Sequence, residues 1–246
     1  TGGSKSMMTS GKAIFEAAEL VKEKGVRIAA HLLEAAEADV EFKIGPGGGG
    51  FAIVGTDREI GIMDLAARLR AGVDLPDDVP DDLSVAHVAD GPPFSFPNGC
   101  HIAEVEVDPD TGVVQVVRYT MVNDFGVVIN PMLVAGQAHG GVAQGIGQAL
   151  MEEVVYDSDG QPLTGSLMDY ALPRADIMPD MAIANLSFPA KTNPLGVKGC
   201  GEAGCAGALP SVMNALVDAL SVYGIRHIDM PATPLKVWQA IEAAKG

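Results

Sequence analysis

The amino-acid sequence predicts an α+β fold of mixed sheets with packed helices. Three observations carry that expectation. A long segment near the start has helical periodicity, and two segments on either side of a tight turn alternate with period two. A second set of helical segments then closes the chain, with no internal repeat.

In chain order, the first helix is predicted from Lys12 to about Ala36. Ile14, Ala18, Val21, Gly25, Ile28 and Leu32 recur at steps of three and four, which lines one face, while Glu16, Glu19, Lys22 and Glu23 fall on the other. Short strands are predicted at Val40–Ile44 and Phe51–Val54, with the Gly/Pro run between them as a flexible turn, and Ile62–Arg70 reads as a short amphipathic helix. From Gly72 to Pro97 the chain is rich in proline and aspartate. This is a surface connection, expected to be mobile and to carry at most one strand, at Leu83–Val88.

A β-hairpin follows. In His101–Val107, Ala103, Val105 and Val107 share one face and Glu104 and Glu106 the other. Asp108–Gly112 is turn chemistry, and Val113–Val122 is the returning strand. Asn130-Pro131 opens a helix reaching about Glu152. Strands are expected near Val154–Tyr156 and Met181–Ser187, and helices at Ala208–Leu220 and Pro234–Ala244. The expected division is 1–71, a connection over 72–97, and 98–246.

The composition is globular, with 48% hydrophobic and 20% charged residues in 246. A formal charge of −16 and the lack of any basic run argue against a nucleic-acid partner. Neither a signal peptide nor an apolar run of membrane-spanning length is apparent. Cys100, Cys200 and Cys205 are too few for a disulfide scaffold or an iron–sulfur centre, so a reducing, cytoplasmic setting is expected. The opening Thr1-Gly2-Gly3-Ser4 reads like the interior of a longer chain.

Two stretches stand out chemically. The helix after Asn130 holds Gly136, Gly140, Gly141, Gly145 and Gly147, although each glycine inside a helix costs about 1 kcal/mol against alanine. Close packing against a neighbouring element explains this, and so does a ligand lying along the helix beside the amides of Gln137, Gln144 and Gln148. His139 on this helix reads as structural. The second stretch is Lys198 to Ala208. Gly199, Gly201 and Gly204 formally match a dinucleotide fingerprint, but no strand directly precedes them and no βαβ unit surrounds them, so that reading is rejected. The glycine-rich backbone leading into a helix is expected to present free N–H groups to an anion. Glu202 is a carboxylate among small residues with no obvious partner. Cys200 and Cys205 lack a zinc spacing and read as small buried hydrophobes, and Cys100-His101 is expected to pack against its strand.

Phe96-Pro97-Asn98-Gly99-Cys100-His101, Ala103–Asp108, Gly136-Gln137, Gln144–Gly147, Gly165–Tyr170, Lys198–Gly204 and Asn214-Ala215 together resemble the molybdenum-cofactor subunits of bacterial hydroxylases of the xanthine dehydrogenase/aldehyde oxidase family. The likeness runs in order from Thr1 to about Trp238. It implies the fold of the C-terminal half of a molybdopterin-binding domain. The implied cofactor is a molybdenum pyranopterin in mono- or dinucleotide form, held without protein ligands to the metal. The resemblance makes Glu202 the catalytic base, taking a proton from the metal-bound hydroxide that attacks an N-heterocycle or aldehyde. It places Gly2, Gly3, Ser4, Lys5 and Ser6 in a loop wrapping the cofactor, Gln137 on the pterin, and Gly199 and Gly201 beside the glutamate. The implied partners are the upstream half of the subunit, iron–sulfur and FAD subunits or domains, and a small heterocycle or aldehyde substrate. The chain departs from the family at Cys200 and Cys205, where many members carry valine and threonine or similar residues. Competing readings are an isolated half-domain or partner-dependent subunit, inactive alone, and an unrelated α+β module binding a phosphate ligand.

Overall fold

The computed structural model describes residues 2–246 and has the α+β character the sequence predicts. It divides into two compact units, one formed by residues 2–8 with 92–246 and the other by residues 9–91.

In the 9–91 unit, α1 (Lys12–Leu32) ends four residues before its predicted limit. The antiparallel β1 (Val40–Gly45), β2 (Gly48–Ile53) and β3 (Glu59–Gly61) follow, then α2 (Ile62–Ala71). Ile28 and Ala29 of α1 meet Phe51 and Ile53 of β2, Ile60 of β3 and Leu65 of α2 in one buried cluster. The strand expected at Leu83–Val88 does not form. This stretch lies instead along α1, where Lys24 Nζ donates to Ser84 O at 2.7 Å and to Asp82 Oδ1 at 3.0 Å. Further along, Lys12 Nζ reaches Asp90 O at 2.9 Å. Lysine donors thus satisfy backbone carbonyls of the connection that no neighbouring strand takes up.

The other unit is built on the hairpin of β4 (Asn98–Val107) and β5 (Val114–Asp124), with β6 (Met181–Leu186) parallel to β5. Ala103, Val105 and Val107 face inward as their alternation predicts. The strands expected near 154–156 amount to a single bridge, Tyr156 with Pro162. Two helices cover the sheet: α3 (Pro131–Leu150), capped by Asn130 Oδ1, which accepts from Leu133 N, and α4 (Ala203–Leu220). Helix α5 (Pro234–Lys245) completes the core with Val237 and Ile241.

Four of the five α3 glycines sort into two groups, and the fifth, Gly147, sits against Glu152 and Pro173. A Cβ on Gly141 would lie 3.0 Å from the backbone of Gly204 and Cys205, and one on Gly145 would lie 2.5 Å from Ala208 Cβ. Here the glycines let α3 and α4 approach closely, and Gly204 does the same from the other side. Gly136 and Gly140 face open space. With residues 221–223, α4 is long and apolar enough by composition to cross a membrane. Its apolar face is however part of the core, with Ala208, Val212, Leu216 and Leu220 fully buried.

Candidate functional site

Helix α4 begins at Ala203, five residues earlier than its periodicity predicts, so Glu202 is its N-cap residue. Its carboxylate makes no capping hydrogen bond and, among the described residues, has no ion pair. Glu202 is exposed. A purely structural helix-terminal carboxylate is expected to bond the first-turn amides, and this one does not.

Residues far apart in sequence meet beside it. Gly201 N donates to Ser4 Oγ at 2.9 Å, so this amide is taken rather than offered to an anion, as the loop's composition suggested. A Cβ on Gly199 would lie 2.8 Å from Ser4 O, and one on Gly201 would lie 3.1 Å from Ser4 Oγ and 3.3 Å from Gln137 Nε2. Only glycine lets the first residues, the exposed Gln137 of α3 and the 199–202 loop come this close. Ser4 itself holds a positive φ of 51°. Gly3, Ser4, Lys5, Gly199 and Glu202 line one cavity with Met8 and the Phe94–Pro97 stretch. Within it the Phe94 and Phe96 rings stack at 6.2 Å and Lys5 Nζ lies 5.4 Å from the Phe94 centroid. Gly2 and Ser6 do not line this cavity; both are exposed.

Immediately before the loop, the chain is anchored by a pairing that the sequence did not suggest. Lys198 pairs with Asp124 at the end of β5, both side chains 11% exposed. Asp124 Oδ1 also accepts from Gly126 N at 2.9 Å and Phe188 N at 3.1 Å. Burial pushes the Asp124 carboxyl up, but the Lys198 ammonium and these two amides outweigh it and hold it below its usual range. The Asn193 amide holds both N and O of Val197, and Lys198 N donates to Phe125 O. A buried lysine or aspartate has no periodicity of its own, so only their adjacency to Gly199 and to the strand end hinted at this pairing.

The cysteines are free. Cys200 and Cys205 are half-buried, and burial raises the Cys200 thiol. Cys100 is exposed near the start of β4 rather than packed. Among the described residues no cluster of His, Cys, Asp or Glu has the geometry to hold a metal ion directly.

Residues 1–179 match the family model of the molybdopterin cofactor-binding domain. The chain is 37% identical over its whole length to the nicotine 6-hydroxylase large subunit of Paenarthrobacter nicotinovorans, covering 30% of that protein. It is 34% identical over 98% of its length to the carbon monoxide dehydrogenase large chain of Hydrogenophaga pseudoflava, again covering 30% of it. The structure of reconstituted CO dehydrogenase from Oligotropha carboxidovorans superposes with a TM-score of 0.90 at 32% identity, over 100% of this chain and 30% of the other. The chain therefore spans about 30% of the length of the curated relatives it matches. It belongs to the molybdopterin cofactor-binding domain family, among the molybdenum-binding subunits of the xanthine dehydrogenase/aldehyde oxidase type.

Proposed function

We propose that this chain supplies part of the active site of a molybdenum hydroxylase that oxidises an N-heterocycle or an aldehyde with oxygen from water. Glu202 is its general base. The observation that carries the reading is the convergence of Ser4, Gln137, Gly199 and Gly201 around an unpartnered Glu202. The glycines at 199 and 201 let Ser4 and Gln137 close on the loop beside Glu202, since a Cβ at either position would meet them. The Gln137 amide and the Ser4 hydroxyl are placed to hydrogen-bond a pterin edge. Lys5 and the Gly2–Ser6 backbone extend that contact.

When bound, the molybdenum pyranopterin supplies a two-electron acceptor and acidifies water at the metal. The remaining work falls to the chain. Glu202 takes a proton at a carboxylate oxygen that no other group occupies, while the Lys198–Asp124 pair fixes the backbone that carries it. The Phe94 and Phe96 rings give the cavity an apolar wall that suits a planar substrate. The rest of the subunit, and iron–sulfur and FAD modules to carry electrons away, complete the enzyme. An unrelated phosphate-binding module is less well supported, since the amide of Gly201 is already bonded to Ser4.

The test is Glu202→Gln in the complete enzyme. Glutamine keeps size and hydrogen bonding but does not accept the proton. Turnover is expected to fall by about 10²–10⁴-fold, the usual contribution of a general base, with metal content and melting temperature unchanged. Normal turnover at full metal occupancy would remove Glu202 from catalysis.

A further inference from the structure

Glu202 stands at the end of a short hinge. Upstream, Lys198 is tied to Asp124 and to the Phe125 carbonyl. Downstream, α4 starts at Ala203, and Gly204 is buried against α3, where a Cβ would lie 2.7 Å from Ala138 O. Between these fixed points lie Gly199, Cys200 and Gly201, and two glycines in three residues give the backbone wide conformational freedom. The hinge is held from outside by the Gly201 amide, which donates to Ser4 Oγ at 2.9 Å.

Ser4 carries backbone strain at this contact. Among the described residues, Ser4 and Glu34 are the non-glycine residues with a positive φ, 51° and 49°. Glu34 follows the last turn of α1, where a left-handed residue is ordinary. Ser4 ends no helix. It is the second of two left-handed residues in a turn, after Gly3 at 64°. Glycine takes that conformation without strain, so what serine adds at position 4 is its hydroxyl. Both hinge glycines close on that group, since a Cβ on Gly199 or on Gly201 would lie 3.1 Å from Ser4 Oγ. Ser4 is half-buried, while Gly2, Gly3, Lys5 and Ser6 around it are exposed. Its oxygen accepts from Gly201, which leaves the hydroxyl proton to be donated to the pterin contact. A long side chain on an unfixed backbone spreads its carboxylate over many positions. A misplacement of about 1 Å at a reacting group costs about 10²-fold in rate.

We propose that Ser4 is a positioning residue for Glu202. Its oxygen holds the amide one residue before the glutamate, and so sets the point from which the carboxylate serves the cavity that both residues line. The proposal rests on the general-base reading of Glu202.

Ser4→Ala, Ser4→Gly and the double variant Ser4→Ala/Glu202→Gln in the complete enzyme test it. The first readout is hydrogen–deuterium exchange of cofactor-free protein, where no pterin contact contributes. Exchange in a peptide spanning 199–202 should speed up in Ser4→Ala, because the Gly201 amide loses its acceptor; unchanged exchange overturns the proposal. The second readout is turnover per bound molybdenum, which should fall by about 10- to 100-fold in Ser4→Ala with KM unchanged. Ser4→Gly relieves the left-handed strain, so a merely structural role predicts wild-type turnover there. The positioning role predicts a loss as large as in Ser4→Ala, with no drop in melting temperature. Because Ser4 acts through Glu202, adding Ser4→Ala to Glu202→Gln should lower turnover little further. A second fall as large as that of the single variant assigns the hydroxyl to the cofactor alone and overturns the proposal. Full turnover per molybdenum in Ser4→Ala beside a slow Glu202→Gln defeats this proposal and leaves the general-base reading standing. Normal turnover in Glu202→Gln defeats both.

Discussion

The segment joining β6 to α4 has two halves built on opposite terms. From Asn193 to Lys198 the chain is tied down: Asn193 clamps Val197, Val127 N donates to Gly196 O, Lys198 Nζ reaches the Asp124 carboxylate and Lys198 N donates to the Phe125 carbonyl. From Gly199 to Glu202 the chain is stripped to small residues, one amide bonded to Ser4, and a carboxylate bonded to nothing. Unsatisfied groups are costly only where water is excluded. The buried groups from Asn193 to Lys198 are therefore paired, and the exposed Glu202 stays uncommitted. The anchored half supplies stability and the open half supplies chemistry, so substitutions in the two should part company in what they change.

Lys198→Met gives the largest expected stability effect. It leaves the Asp124 carboxylate buried beside two amides but without its cation, and breaking such a pair from one side costs about 3–5 kcal/mol. The melting temperature should fall sharply, in contrast to Glu202→Gln, where turnover falls and melting does not. If thermal denaturation shows Lys198→Met melting like the wild type, the anchored half does not hold this segment and the comparison fails.

The same pair predicts a pH dependence. The Asp124 carboxyl in the folded chain sits below its ordinary value of 3.8. A depressed folded value contributes stability above the unfolded one, and that contribution is lost as pH falls through the folded value. Asp124→Asn should therefore melt well below the wild type at neutral pH, with the gap narrowing as pH drops below about 3.8. A gap of constant size down to acid pH would mean that the Asp124 charge contributes nothing.

The contrast also explains what was legible in the sequence. Strands β4 and β5 were readable because half-burial imprints a two-residue alternation, and α1 because its apolar stripe repeats every turn. Glu202 stood out because a charged residue among glycines and alanines is locally anomalous. The start of α4 was misplaced because Gly201, Gly204 and Gly207 look like loop, while in the fold Gly204 sits against α3 and Gly207 against His101. The pairing of Asp124 with Lys198 was invisible because the two are distant in sequence. Of the two explanations offered for the glycines of α3, close packing accounts for Gly141, Gly145 and Gly147 and leaves Gly136 and Gly140 without a neighbour.

Those two groups of α3 glycines give the smallest and most discriminating prediction. Gly145→Ala forces a methyl to within 2.5 Å of Ala208 Cβ, so the helices must separate, at a cost of about 1–3 kcal/mol. Gly136→Ala meets nothing, and a glycine-to-alanine change at an open helical position should stabilise by about 0.5–1 kcal/mol. Opposite shifts in melting temperature are therefore expected from the same substitution two helical turns and a bit apart. The sign at Gly136 also raises a question of function. Among the described residues nothing packs on Gly136 to require a glycine there, and the adjacent Gln137 belongs to the proposed pterin contact. If that reading holds, Gly136→Ala should raise the melting temperature of protein free of cofactor while lowering its molybdenum content after reconstitution. A more stable variant that takes up molybdenum as well as the wild type would confine the cofactor contact to Ser4, Gln137 and the 199–202 loop, and would leave the open face of α3 without a ligand.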